Sequence, residues 1–205
     1  MPPKAEKKNN GFDRLRADLK AQTPQNVYLF YGEETYLRSY YLEELHRLLI
    51  PAGFEEFNYH RLSGKGLTVQ ELAEVTEAMP MMAQHTMVVV TDLDIFRLDE
   101  QQRTALMALL ADFYYNHPSA KLGVVGITGT KGKSSTAYYL KYIFDEYLAA
   151  KGQPASGVIS SIETYDGVEK FESHLTTPEP LDLERHFANG VATGMRYLTM
   201  EVSSQ

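Results

Sequence analysis

Cysteine is absent from the 205 residues, which excludes disulfides and thiolate metal sites and is compatible with a reducing cytoplasm, the expected location. No apolar run approaches the roughly 18 residues of a membrane span. The lysines of the opening MPPKAEKKNNG have no apolar stretch behind them, so this is not a secretory signal. Residues 1–10 are expected to form a disordered, solvated tail. A basic excess is also missing: residues 1–112 hold 12 Lys+Arg against 17 Asp+Glu, and residues 113–205 hold 8 against 10. Neither half has the balance of a protein that grips phosphodiester backbones alone, so no direct nucleic-acid binding is expected. Internal repeats and long low-complexity runs are lacking. His46, His60, His85, His117, His174 and His186 lie at no spacing that suggests a metal site.

What remains is a globular composition, 43% hydrophobic and 23% charged, sufficient for one larger domain or two small ones. In the first half, helical and strand patterns alternate. FDRLRADLKAQ, TYLRSYYLEELHRLLI, TVQELAEVTEAM and DEQQRTALMALLAD read as helices, and VYLFYG, FNYHRL and TMVVVTD as strands. Thr68 and Glu71 have capping-box spacing. The second half repeats the class, with strands KLGVVGI, SGVISSI and RYLTMEV, helices SSTAYYLKYIFDEYLAA and PLDLERHFANGVA, and a polar stretch between. This order predicts an α/β protein with mostly parallel sheet and flanking helices. The expected seam is FYYNHPSA, residues 113–120, where Pro, Asn and Ser gather between periodic segments.

The stretch VVGITGTKGKSSTAYYL reads as a phosphate loop between a strand and a helix. Gly129 and Gly132 supply backbone freedom, Lys133 can neutralise phosphate charge, Ser134 can offer a hydroxyl to Mg²⁺, and the following helix contributes its positive end. The strict G-x-x-x-x-G-K-[ST] pattern wants glycine at 127, where this chain has Ile127; Gly126 is one place too early.

That departure is informative, because GITGTKGKSS resembles the variant loop of the Mur ligases and folylpolyglutamate synthases. SHLTTPEPLDLERHF and the terminal MEVSS resemble further motifs of UDP-N-acetylmuramyl-tripeptide synthetases, over about residues 113–205. The resemblance implies a P-loop NTPase-like fold, ATP and Mg²⁺ as cofactors, and a muramyl-peptide substrate. It implies that Gly129, Thr130, Lys131, Gly132, Lys133, Ser134 and Ser135 hold the ATP phosphates. Lys133 would stabilise charge as a substrate carboxylate attacks the γ-phosphate to form an acyl phosphate. Ser134 and Glu201 would hold Mg²⁺, and Thr176, Thr177 and Ser203 would contact the substrate. Each has a plainer reading: a strand-ending acid is often only loop-facing, TTP alone is usually a turn, and SS at a chain end says little. Gln205 replaces a His that many members carry after VSS.

In the first half, VYLFYGEETYL occupies the position of a phosphate loop, but Glu33 and Glu34 would use the helix dipole themselves and repel a triphosphate. With FNYHRLSGKGLTVQELAEVTEAMPMMAQHTMVVVTDLD, it resembles the N-terminal domain of the DNA polymerase III delta subunit, a clamp-loader component with a degenerate nucleotide site, over about residues 11–112. That resemblance implies that Met81 and Met82 enter a pocket of the bacterial sliding clamp; the plainer reading of paired methionines ahead of a strand is core filler.

The chain thus reads as two truncated modules, 11–112 and 113–205, that either share a sheet or form two small ones. The expected function is the ATP-binding module of a carboxylate–amine ligase of peptidoglycan precursor synthesis, with ATP hydrolysis rather than ligation as its activity. The alternatives are a clamp-binding replication fragment and a non-functional fusion of two truncated genes.

Overall fold

The computed structural model describes residues 11–173 and 175–203. The expected tail, His174 and Gln205 lie outside them. Two compact units divide after Arg103.

The first unit contains α1 (Gly11–Ala21), α2 (Thr35–Leu49), α3 (Glu55–Asn58), β1 (Tyr59–Ser63), α4 (Val69–Thr76) and β2 (Met87–Thr91). β1 and β2 pair in parallel from Tyr59↔Met87 to Ser63↔Thr91, with α4 as the crossover that a parallel pair requires. The capping box forms as expected: the Glu71 amide donates to Thr68 Oγ1 at 3.2 Å and the Thr68 amide to Glu71 Oε2 at 2.9 Å. Leu15, Leu45, Ile50, Met87 and Val89 make the core, with Tyr28 and Phe30 packed against it.

VYLFYG does not form the expected strand; no ladder includes residues 27–32. The alternation behind that expectation is real, since Tyr28 and Phe30 face the core while Leu29 and Tyr31 are exposed. Side chains, however, fix the segment. Tyr28 Oη accepts from the Gln25 amide at 2.8 Å and donates to Asp18 at 3.2 Å. Period-two burial requires only one packed face, not a strand neighbour.

The second unit takes most of α5 (Glu100–Tyr114), then a 3₁₀ turn (Pro118–Lys121), β3 (Gly123–Ile127), α6 (Lys133–Ala149), β4 (Gly157–Ile159), β5 (Glu163–Tyr165), β6 (Lys170–Glu172), α7 (Pro180–Ala192) and β7 (Tyr197–Glu201). The sheet order is β3-β7-β4-β5-β6. β3, β7 and β4 are parallel, and β5 and β6 extend them as an antiparallel hairpin. The hairpin lies in the stretch that the sequence marks only as polar. The described strands therefore form two sheets, and the shared sheet is not formed.

Leu122, Ile159, Phe187, Met195, Leu198 and Met200 form the core on the α7 side. Thr199, between two of them on β7, points to the opposite face and donates to Ala137 O of α6 at 3.4 Å. Helices thus cover both faces, as parallel strands require.

Candidate functional site

The register Ile127↔Glu201 and Ile159↔Met200 brings the carboxyl ends of β3, β7 and β4 to one sheet edge, where open α/β sheets bind ligands. Residues 128–132, 160–162 and 202–203 leave from this edge.

Gly129 and Gly132 take φ of 141° and 77°. No atom lies within 4 Å of a Cβ built on Gly132, so the conformation, not crowding, calls for glycine there. Gly132 is also the N-cap of α6 and supplies no capping side chain, and the first turn carries no acid. The leading amides of α6 thus present an uncapped, positively polarised end. Lys133 Nζ arches over the loop and donates to Gly129 O at 2.9 Å. Thr130, Lys131 and Ser135 are placed around it, on the loop and the first turn of α6. Ile127 ends β3 opposite Glu201, so the position at which the strict pattern wants glycine belongs to the strand.

Behind the loop, Glu201 is only 2% exposed. The Ser161 amide and hydroxyl donate to its Oε1 at 3.1 and 3.3 Å, and Ser161 Oγ lies 3.3 Å from Ser134 Oγ. The two expected Mg²⁺ residues are therefore linked through Ser161, which sequence reasoning missed. Its signal was the Ser pair directly after a short apolar strand. Ser160 accepts from the Ile162 and Glu163 amides at 3.2 and 3.1 Å, making the turn that presents Ser161.

Thr177 and Ser203 also meet here. Thr177 Oγ1 donates to Glu201 O at 3.2 Å and accepts from the Ser203 amide at 3.0 Å. Thr176 is half-buried. The residues expected to hold phosphate, metal and substrate thus lie along one edge of the second unit.

A second cluster, Asp166, Glu169 and His186, also has metal-ligand chemistry, but both Asp166 oxygens are committed. Asp166 Oδ2 is 2.6 Å from His186 Nδ1 and accepts from Asn189 Nδ2 at 2.8 Å. Its Oδ1 takes the Val168 and Glu169 amides at 2.9 and 2.7 Å, and Arg185 holds Glu169 at 2.7 Å. Burial pushes the Asp166 carboxyl up, but hydrogen bonds from the Glu169 amide, His186, Asn189 and the Val168 amide outweigh it and hold the group below its ordinary value. The cluster ties the β5–β6 turn to α7.

In the first unit, Glu34 is the N-cap of α2 and Glu33 and Glu34 are exposed. Met81 and Met82 are not core filler: they are 51% and 79% exposed.

The second unit is therefore a P-loop-like α/β unit, with glycine loop, lysine, hydroxyl and carboxylate gathered where parallel strands end. Two families match the chain, and their matches overlap at residues 127–135, inside the second unit. Residues 28–135, 108 of 205, match the DNA polymerase III delta subunit family, and residues 127–205 match the Mur ligase middle domain. The chain belongs to the first family, whose match covers more than half of it, and residues 127–205 are similar to the middle domain of the second. Among curated relatives, the UDP-N-acetylmuramoyl-L-alanyl-D-glutamate–L-lysine ligase of Enterococcus faecalis is 48% identical over 99 residues, 48% of this chain and 19% of the relative. The corresponding 2,6-diaminopimelate ligase of Clostridioides difficile is 44% identical over 98 residues, 48% of this chain and 19% of its own. That of Caldanaerobacter subterraneus is 38% identical over 147 residues, 68% of this chain and 29% of its own. The chain spans about a fifth of the first two. No helix among the described residues is long and apolar enough to cross a membrane.

Proposed function

We propose that residues 113–205 form the ATP-binding module of a Mur-type carboxylate–amine ligase of peptidoglycan precursor synthesis. The observation that carries this reading is the uncapped start of α6 beside the Ser134–Ser161–Glu201 chain. The residues fit the cofactor. Residues 129–135 offer amides and the α6 dipole to phosphate oxygens. Lys133 exchanges Gly129 O for phosphate, and Ser134 and Glu201 supply the hard oxygen ligands that Mg²⁺ prefers. Bound Mg-ATP supplies the phosphoryl group that activates a carboxylate. Thr176, Thr177 and Ser203 meet the muramyl-peptide end of the substrate. Dependence on ATP points to the cytoplasm as the site of action. The test is titration calorimetry with Mg-ATP: the wild type binds and Lys133→Ala loses the signal, whereas equal affinity in both removes the assignment.

A second reading is favoured by the exposure of Met81 and Met82. Residues 11–112 form a delta-like module that docks on a bacterial sliding clamp through these side chains. Unchanged clamp retention by the Met81→Ser/Met82→Ser chain in a pull-down rejects it.

A further inference from the structure

The methionine segment between α4 and β2 combines two features that normally conflict. Its side chains are turned to solvent, with Met79 92% exposed beside Met81 and Met82. Its backbone is nonetheless held in an uncommon conformation, because Met82 has φ of 54°, in the left-handed region that non-glycine residues seldom enter. Such conformations persist only where the surroundings fix them. Asn58, at the end of α3 and 0% exposed, does this. Its Oδ1 accepts from the Met81 amide at 2.7 Å, and its Nδ2 donates to Met81 O at 2.8 Å and to Phe54 O at 3.0 Å. One buried amide side chain thus grips both backbone groups of Met81 and anchors the grip to the α3 turn. Asparagine alone has the acceptor and paired donors at this length; Asp lacks the donors and Ala lacks both.

We propose that Asn58 is a positioning residue for partner docking, holding the backbone at Met81 so that Met81 and Met82 present their thioethers outward as a preformed apolar wedge. The inference rests on the clamp-docking reading above. The partner chemistry it fits is an apolar cleft that admits flexible, polarisable side chains. Asn58 never touches the partner. It raises affinity by keeping the competent conformer populated, since apparent affinity scales with that fraction.

The test uses the full chain and an immobilised bacterial sliding clamp. Affinities are compared for the wild type, Asn58→Ala, Met81→Ser/Met82→Ser and the triple variant. Loss of the three hydrogen bonds is expected to weaken binding about tenfold or more. The triple variant should bind no worse than the methionine double variant, because Asn58 acts only through those residues. Wild-type affinity in Asn58→Ala, or losses that add in the triple variant, overturns the proposal. Methionine-independent binding, or no binding by the wild type, instead rejects the docking reading on which it rests. Amide exchange of the wild type guards against misfolding of the variants. The Met81 amide should be protected despite its exposed side chain, and exchange at the rate of an unprotected amide overturns the inference.

Discussion

Glu184 on α7 should make the second unit less stable as pH rises through neutrality, and Glu184→Gln should remove that dependence. Burial raises the Glu184 carboxyl from 4.5 to about 7; the Asp112 charge adds to this and His117 opposes it. Glu184 Oε2 and Asp112 Oδ1 are both buried without a hydrogen-bond partner, while Asp112 Oδ2 is committed to His117 Nδ1 at 2.6 Å. A group with a raised folded-state value binds its proton more tightly when folded. Its contribution is fully present below the unfolded value of 4.5 and is lost as pH rises through about 7. At about 1.4 kcal/mol per pH unit the loss is at most about 3–4 kcal/mol, and about 1–2 kcal/mol once solvent screening of a partly exposed side chain is allowed for. The carboxamide introduced by the substitution is neutral at every pH and can donate to Asp112. The assay is amide-exchange protection of α7 at pH 5 and pH 8. The wild type should lose about 1–2 kcal/mol of opening free energy relative to Glu184→Gln, which should match it at pH 5. Equal pH dependence in both proteins would show that Glu184 is not the titrating group.

Ser161→Ala removes the hydroxyl between Ser134 and Glu201. It should weaken Mg-ATP binding about tenfold, the lower end of what losing a ligand-orienting partner costs, while leaving Mg-free ATP binding unchanged, as read by calorimetry with and without Mg²⁺. Thr68→Ala breaks the capping box at α4 and should destabilise the first unit by about 1 kcal/mol, measured as loss of α4 amide protection.

Local signals in the sequence were reliable where the deciding interaction was also local. The Thr68–Glu71 box and the α7 span from Pro180 to Ala192 are written within a few residues, and both form as read. The strand–loop–helix around Gly129, Gly132 and Lys133 was legible because strand, glycines, lysine and helix are contiguous. The misses depended on distant partners. The alternation of VYLFYG could not reveal whether a neighbouring strand would pair with it. The β5–β6 hairpin carried an Asp-Gly turn signal at residues 166–167, but its strands are three residues long and polar. His186 read as a lone histidine because Asp166, its partner, stands 20 residues away. Ser161 joined the site only once the sheet order set β4 beside β7. The methionine pair was ambiguous in sequence because Asn58, whose side chain binds the Met81 backbone, stands 23 residues earlier.

On the proposed function, phosphate binds at the start of α6 and not at the start of α2. The most direct measurement is the change in backbone amide resonances of the full chain as Mg-ATP is added. Shifts should concentrate at residues 129–135, at Ser161 and at residues 201–203, with Gly32, Glu33, Glu34 and Thr35 unmoved. Shifts at residues 32–35, or none at residues 129–135 at saturating nucleotide, would contradict it.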